Sequence, residues 1–307
     1  MTVPIILDCD PGVDDTFAIF TALRWADLRA ITTVAGNVAL RHTTRNALAV
    51  TQLADSAIPV HEGAAGPLNG AVIDDAADVH GETGIGGVEY PEIHRTIEPS
   101  SAIDALFEHT ESGDVVVVAV GPLTNIAHAI RRDPTWCDRV PRLVLMGGST
   151  DHGNVTAAAE FNIWADPEAA AEVFESGVDI TMVGLNLTRQ VQMGAPEIAD
   201  LRAAGTVTST FAADALGFYA DYSRRSYGIA KSSMHDPCAV LEVVRPDLFE
   251  RQPMHVAVET SGVHTRGMTL CDHRPNAAEP NTDVLVGADG AEAVRLIMDA
   301  TIHPLGR

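Results

Sequence analysis

The stretch Ile5-Ile6-Leu7-Asp8-Cys9-Asp10-Pro11-Gly12-Val13-Asp14-Asp15 puts a short apolar run directly before four carboxylates in eight positions. Ile5 to Leu7 reads as a strand. Side chains on a strand alternate, so Asp8 and Asp10 point the same way, with Cys9 turned to the other side and into the core. Pro11-Gly12 forces a turn. Asp14 and Asp15 then stand at the entry of a helical stretch, Thr16 to Trp25. A strand, a turn and a helix in this order open an α/β sheet, and such sheets place ligands at the C-terminal ends of their strands.

Working outward, short apolar runs keep alternating with helical patterns. Ala30 to Val34 reads as a strand and Thr43 to Ala54 as a helix. Val115 to Val120 is an unbroken apolar run, nearly all β-branched, which suits a strand buried on both faces. A helix from Leu123 to Arg131, a strand from Leu143 to Met146, a helix from Pro167 to Glu175 and a strand from Ile180 to Val183 follow. The last third holds helices at Thr208 to Ser226 and His235 to Val244. It adds β-like segments at His255 to Glu259, Arg266 to Leu270 and Val284 to Val286, then a helix from Ala291 to Ala300. Asn69 to Tyr90 is rich in glycine and acid, has little periodicity, and reads as a long mobile loop. The pattern predicts an α/β fold: a mostly parallel, Rossmann-like open central sheet with helices on both faces. No linker or repeat divides the chain, so one domain over 1–307 is the economical reading.

Composition narrows the partners. The chain has 307 residues, 46% hydrophobic and 20% charged, with a formal net charge of -22. That charge argues against binding nucleic acid or an anionic membrane, both of which need basic patches. No stretch approaches the roughly 20 apolar residues of a membrane span. The first residues carry no basic flank of a secretory signal, so a cytoplasmic protein is expected. Cys9, Cys137, Cys238 and Cys271 are scattered without CxxC spacing and read as reduced thiols.

A helix-capping role explains one of Asp14 and Asp15. It does not explain four clustered carboxylates, whose repulsion at low dielectric is destabilising without a cation. Oxygen-only ligands favour Ca²⁺ or Mg²⁺ over zinc. A metal-bound water beside a carboxylate supplies a nucleophile and its general base. His235-Asp236-Pro237 precedes a helical run: Asp236 is either its N-cap or a distant ligand of the same metal, with His235 a proton donor beside it. Gly153-Asn154 to Glu160-Phe161-Asn162 places two amides and a carboxylate where they suit a polyhydroxylated ligand, or ordinary turn chemistry. Gly121-Pro122-Leu123-Thr124-Asn125 could present a backbone carbonyl to a metal. Gly36-Asn37 follows the second strand.

Together these segments resemble the nucleoside hydrolase family, the nucleoside N-ribohydrolases, from Ile5 to about Ala300. The carrying motif is Asp8-x-Asp10-x-Gly12-x-Asp14-Asp15. Val34-Ala35-Gly36-Asn37, Gly121 to Asn125, Met146-Gly147-Gly148, Glu160-Phe161-Asn162, His235-Asp236-Pro237 and Thr265-Arg266-Gly267 recur in the family's order. The resemblance implies calcium-dependent hydrolysis of ribonucleosides of the uridine or inosine type to ribose and free base. It implies Ca²⁺ on Asp10, Asp15, Asp236 and the Thr124 carbonyl, with Asp10 the general base for a calcium-bound water. Asp14, Asn37, Asn154, Glu160 and Asn162 would hold the ribose hydroxyls, Met146 would line the pocket and Asp8 would stand behind. His235 would protonate or polarise the departing base, and His80 and Phe161 would lie near it. A homodimer or homotetramer is implied as well.

One departure is Ala157-Ala158-Ala159, where many members carry proline; a change in loop stiffness is expected. Tyr222, Arg225 and Tyr227 are candidates for the base or for helix packing. Trp25, Trp136 and Trp164 fall at no recognisable base-stacking position. Two rivals stand beside this reading. A phosphatase of the haloacid dehalogenase type also begins with Asp-x-Asp but needs a phosphate-neutralising lysine, and Lys231 is the only lysine here. A non-catalytic, calcium-dependent binder of ribose or nucleosides would need no proton donor.

Overall fold

The computed structural model describes residues 2–71, 76–90 and 92–305. The apolar runs become strands β1 (Pro4–Cys9), β2 (Asp27–Thr33), β3 (Val60–Glu62), β4 (Val116–Ala119), β5 (Leu143–Met146), β6 (Ile180–Val183), β7 (Gln192–Gly194), β8 (Lys231–Ser233), β9 (Phe249–Val258), β10 (Thr269–Asp272) and β11 (Thr282–Ala288). A 9-stranded sheet runs in the order β10-β9-β11-β6-β5-β4-β1-β2-β3, and β7 pairs with β8 apart from it. From β3 across to β11 every neighbouring pair is parallel. Only β9 runs against its neighbours, β11 and β10. The mostly parallel sheet expected from the alternation is therefore present, with an antiparallel edge.

Strand alternation feeds two cores. Ile5, Leu7, Cys9, Val118 and Val144 face the helices Val13–Trp25, Val207–Tyr227, His235–Val244 and Gly290–Ile302. Ile6, Val117, Ala119 and Leu145 face the helices Ala102–His109, Thr124–Arg132 and Pro167–Glu175. Covering on both sides is why β4 consists only of buried apolar residues. The strand order reverses between β1 and β4, and a crevice at such a switch point is where this kind of sheet binds ligands. Asp10 follows β1, and Gly121 and Thr124 follow β4.

Several elements depart from the expectations. β3 and the helices Ala102–His109 and Ala195–Ala204 carry too little pattern to be read. β3 is three residues long, and Leu201 is the one buried side chain of the helix Ala195–Ala204. The β-like segment from Arg266 starts as a strand only at Thr269, because Gly267 has φ +83° and cannot continue a ladder. Asn69 to Tyr90 is not a free loop over its described part. Residues 76–90 contain the short helix Ala77–His80, bury His80 and Ile85, and are tied down by the Asn46 amide donating to the Thr83 carbonyl at 2.7 Å. Residues 72–75 of that segment lie outside the described residues. Among the described residues no helix is long and apolar enough to cross a membrane.

Candidate active site

Asp8 is the last residue but one of β1 and faces Asn125. Thr32 Oγ1 and Asn125 Nδ2 donate to its Oδ1 at 2.6 and 2.7 Å. Burial outweighs both bonds and pushes its pKa up to about 6. Asp10 lies one turn of chain further, with its Oδ2 accepting the Asn37 N–H at 2.7 Å. Two glycines make room for it: a Cβ on Gly36 would stand 2.1 Å from Oδ2, and one on Gly121 2.7 Å from Oδ1. Among the described residues no donor reaches the buried Asp10 Oδ1.

Asp15, in the first turn of the helix Val13–Trp25, accepts from the Gly12 N–H at 2.8 Å, the Asp10 N–H at 3.1 Å and Asn37 Nδ2 at 3.1 Å. It therefore caps its helix and also locks the turn. Asp236 arrives in the first turn of the helix His235–Val244 and does not cap it; Met234 holds that position. Asp14, Asp15 and Asp236 each bring an oxygen within 4.8 Å of the others. All are buried. Burial first, and then the charges of neighbouring carboxylates, drive Asp10, Asp14 and Asp236 far above the usual carboxylate range. Three buried carboxyls this close repel one another when ionised. A hard cation would relieve the repulsion and give the orphaned Asp10 oxygen a partner. The donor set thus fits a divalent oxygen-seeking ion. The expected ligands were Asp10, Asp15, Asp236 and the Thr124 carbonyl. The structure groups Asp14 with Asp15 and Asp236, while Asp10 adjoins them through Asp15. Thr124 is buried at the start of its helix, its hydroxyl donating to Asp166 Oδ2 at 2.7 Å.

Above this floor opens a cavity of about 940 Å³, walled by Asp14, Asn37, His80, Met146, Asn154, Glu160, Phe161, Asn162, His235 and Asp236 among others. The hydrogen bonds decide what each amide offers. Asn162 Nδ2 donates to the carbonyls of Val120 and Met146 at 2.8 and 3.0 Å, which leaves Oδ1 as an acceptor. Asn37 Nδ2 donates to the Asp10 carbonyl and Asp15, which also leaves Oδ1. Asn154 is the reverse: its Oδ1 accepts from the Phe161 N–H at 3.0 Å, which leaves the NH₂. Glu160 caps the helix Phe161–Ala165 through Oε2, which also accepts from the Gly148 N–H at 3.0 Å. Burial nevertheless pushes it up to about 7.

Three histidines border the cavity, and burial holds two of them, His80 and His235, below the ordinary imidazole range. His80 Nδ1 accepts the Val13 N–H at 3.0 Å, so its own proton sits on Nε2. Its ring stacks on Tyr219 at 5.6 Å. Burial, and after it His235, lowers its pKa to about 3. His235 Nδ1 lies 2.7 Å from Thr188 Oγ1, and burial followed by the charge of Arg189 brings it down to about 4.

Sequence reasoning missed part of the wall. Trp164, at no base-stacking position recognisable in the sequence, borders the cavity beside Phe161. Tyr219, Arg189 and Lys231 also line it, as does the candidate Tyr222. Arg225 does not; its Nε donates to the Asp221 carbonyl at 3.3 Å. The side chain of Tyr227 lies outside what is described. Tyr219 and Ser223 sit four residues apart on one helix face, a signal visible only once the helix is oriented.

Residues 5–295 match the family described as inosine-uridine preferring nucleoside hydrolase. The pyrimidine-specific ribonucleoside hydrolase RihA of Salmonella paratyphi A is 39% identical over 306 residues, covering 97% of this chain and 98% of that one. Its namesake from Escherichia coli O1:K1 / APEC is 38% identical over the same span. Among solved structures, a purine-preferring ribonucleoside hydrolase from Gardnerella vaginalis superposes with a TM-score of 0.93 at 36% identity, over 98% of this chain and 99% of that one. A plant nucleoside hydrolase, PpNRh1, gives 0.91 at 34%, with the same coverage. Both the phosphatase and the non-catalytic binder fall before these findings. The chain belongs to the inosine-uridine preferring nucleoside hydrolase family and is an enzyme that hydrolyses the N-glycosidic bond of ribonucleosides.

Proposed function

We propose that this chain is a calcium-dependent ribonucleoside hydrolase of the uridine and inosine type, with Asp10 as its general base. The observation that supports this most is the buried Asp10 Oδ1, which has no donor among the described residues, beside the cluster Asp14, Asp15 and Asp236. Asp10, Asp15, Asp236 and the Thr124 carbonyl would hold the ion. When bound, the ion makes a coordinated water more acidic and orients the ribose diol. Asp10 accepts the proton of the attacking water. Asp14 and Glu160 accept from ribose hydroxyls and face the positive charge that develops on the sugar in an oxocarbenium-like transition state. Asn37 and Asn162 accept through Oδ1, Asn154 donates through its amide, and Met146 packs against the sugar. His235, neutral, polarises the departing base by donating an N–H instead of a full proton, with His80 and Phe161 beside the base. The resemblance also supports a homodimer or homotetramer in the cytoplasm.

The test is turnover of uridine, cytidine, inosine and adenosine with calcium, in wild type and in Asp10→Ala and Asp10→Asn. General-base loss should lower kcat by roughly 100- to 10,000-fold with the circular dichroism unchanged. Near-native turnover in a folded variant rejects the assignment.

A further inference from the structure

Cleaving the N-glycosidic bond sends its electron pair to the base nitrogen. The oxygen of water forms the new bond to the sugar carbon, the proton of water goes to Asp10, and the base departs carrying negative charge. The carboxylates serve the sugar, and each histidine of the wall is engaged: His80 Nδ1 with the Val13 N–H, His235 Nδ1 with Thr188 Oγ1, and His152 with Arg189 and Asp151. Among the arginine and lysine side chains, Arg189 and Lys231 line the cavity. Arg189 is committed elsewhere: Nη1 donates to Asp151 Oδ1 at 3.0 Å and Nη2 to the Gly153 carbonyl at 3.1 Å. Lys231 has no ion pair or hydrogen-bonded side-chain partner among the described residues, and it is the chain's only lysine.

The placement of Lys231 is set by β8. Lys231 and Ser233 alternate onto the cavity side, while Ser232 between them is buried against Ser223 Oγ at 3.2 Å. His235 follows two residues later. Gly194 is the partner of Lys231 across the β7–β8 ladder, and a Cβ there would stand 3.1 Å from Lys231 Cγ. The lysine stem thus lies close over a bare backbone, where a side chain at 194 would crowd it.

We propose that Lys231 is a leaving-group and specificity residue: its ammonium stands beside the departing base, stabilises the base anion, and favours bases whose ring oxygens carry that charge, such as uracil and hypoxanthine, over amino-substituted ones. The proposal rests on the ribohydrolase mechanism above. The experiment compares uridine with a 4-nitrophenyl riboside, whose nitrophenolate leaves without help, in wild type, Lys231→Met and Lys231→Arg, all with calcium. Lys231→Met should lower kcat on uridine by about tenfold, equal to ~1.4 kcal/mol, and change the nitrophenyl riboside by less than about twofold. Lys231→Arg should recover most of the loss. Equal losses on both substrates would make Lys231 a structural residue, and no loss on either would remove it from the reaction; both outcomes overturn the proposal while leaving the mechanism intact. A wild type inactive on both substrates would overturn the mechanism itself, and the proposal with it.

Discussion

Glu160 carries a readable pH signature, because it is a single buried carboxyl set apart from the floor cluster in sequence. Its pKa in the folded chain, about 7, lies above its ordinary 4.5. The folded state therefore holds the proton more tightly than the unfolded state. The stability this confers is complete below pH 4.5 and is lost as pH rises through about 7. Glu160→Gln, isosteric and neutral, should flatten that part of the curve in cation-free protein, a gain of about 3 kcal/mol above pH 7 relative to wild type. The same variant should lose the rise of kcat/KM that accompanies ionisation near neutral pH. Denaturant titrations across pH 4 to 8 check the first expectation; an unchanged slope assigns the titration to another group. Asp10 and Glu160 were both legible as residue types at suggestive spacings. That Gly36 and Gly121 exist to leave room around Asp10 was not, since the distance of a missing methyl from a carboxylate is a fact of packing.

At the scale of elements, the site is built where strands end and helices begin. The helix Val13–Trp25 starts on Asp15, the helix Phe161–Ala165 on Glu160, and the helix His235–Val244 brings Asp236 in its first turn. Periodicity revealed the long helices. It could not reveal β3, which exists because β2 offers it a parallel partner, or the helix Ala195–Ala204, which buries too little to leave a stripe. The loop that carries Asn154 is also held from outside itself, by Arg189 on Asp151, His152 and Gly153. Arg189→Ala should free that loop and raise KM for nucleosides by roughly tenfold, ~1.4 kcal/mol, with a smaller effect on kcat. Steady-state kinetics separate the two; a loss confined to kcat would place Arg189 at the chemistry instead.

Across the whole molecule, the two ends of the chain meet. Arg24 Nε pairs with Asp299 Oδ2 at 3.0 Å, and Trp25 Nε1 donates to the Leu296 carbonyl at 3.3 Å, so the first helix packs on the last. The floor cluster likewise joins Asp14 and Asp15 to Asp236 across most of the sequence. A cation that binds only when these meet stabilises the fold by mass action, by about 2.7 kcal/mol at one hundred times its dissociation constant. Residues 1–307 are expected to unfold in one transition that calcium moves upward and EDTA restores. Asp236→Asn should abolish most of the calcium shift while leaving the cation-free protein at least as stable, because it removes one repelling carboxyl. A calcium shift of full size in that variant would place the ion elsewhere.

Strand-helix alternation and the local spacing of Asp8, Asp10, Asp14 and Asp15 determined the parallel sheet and a carboxylate floor at its C-terminal edge. These are properties of neighbouring residues, and side-chain period and turn chemistry act over a few positions. Only the tertiary structure decided that Asp14 groups with Asp15 and Asp236, that Asn37 and Asn162 donate through Nδ2 and keep Oδ1 as an acceptor, and that Trp164, Tyr219 and Lys231 reach the cavity. Those facts depend on how distant elements pack. The wall of the cavity is assembled from long-range contacts that no local pattern encodes.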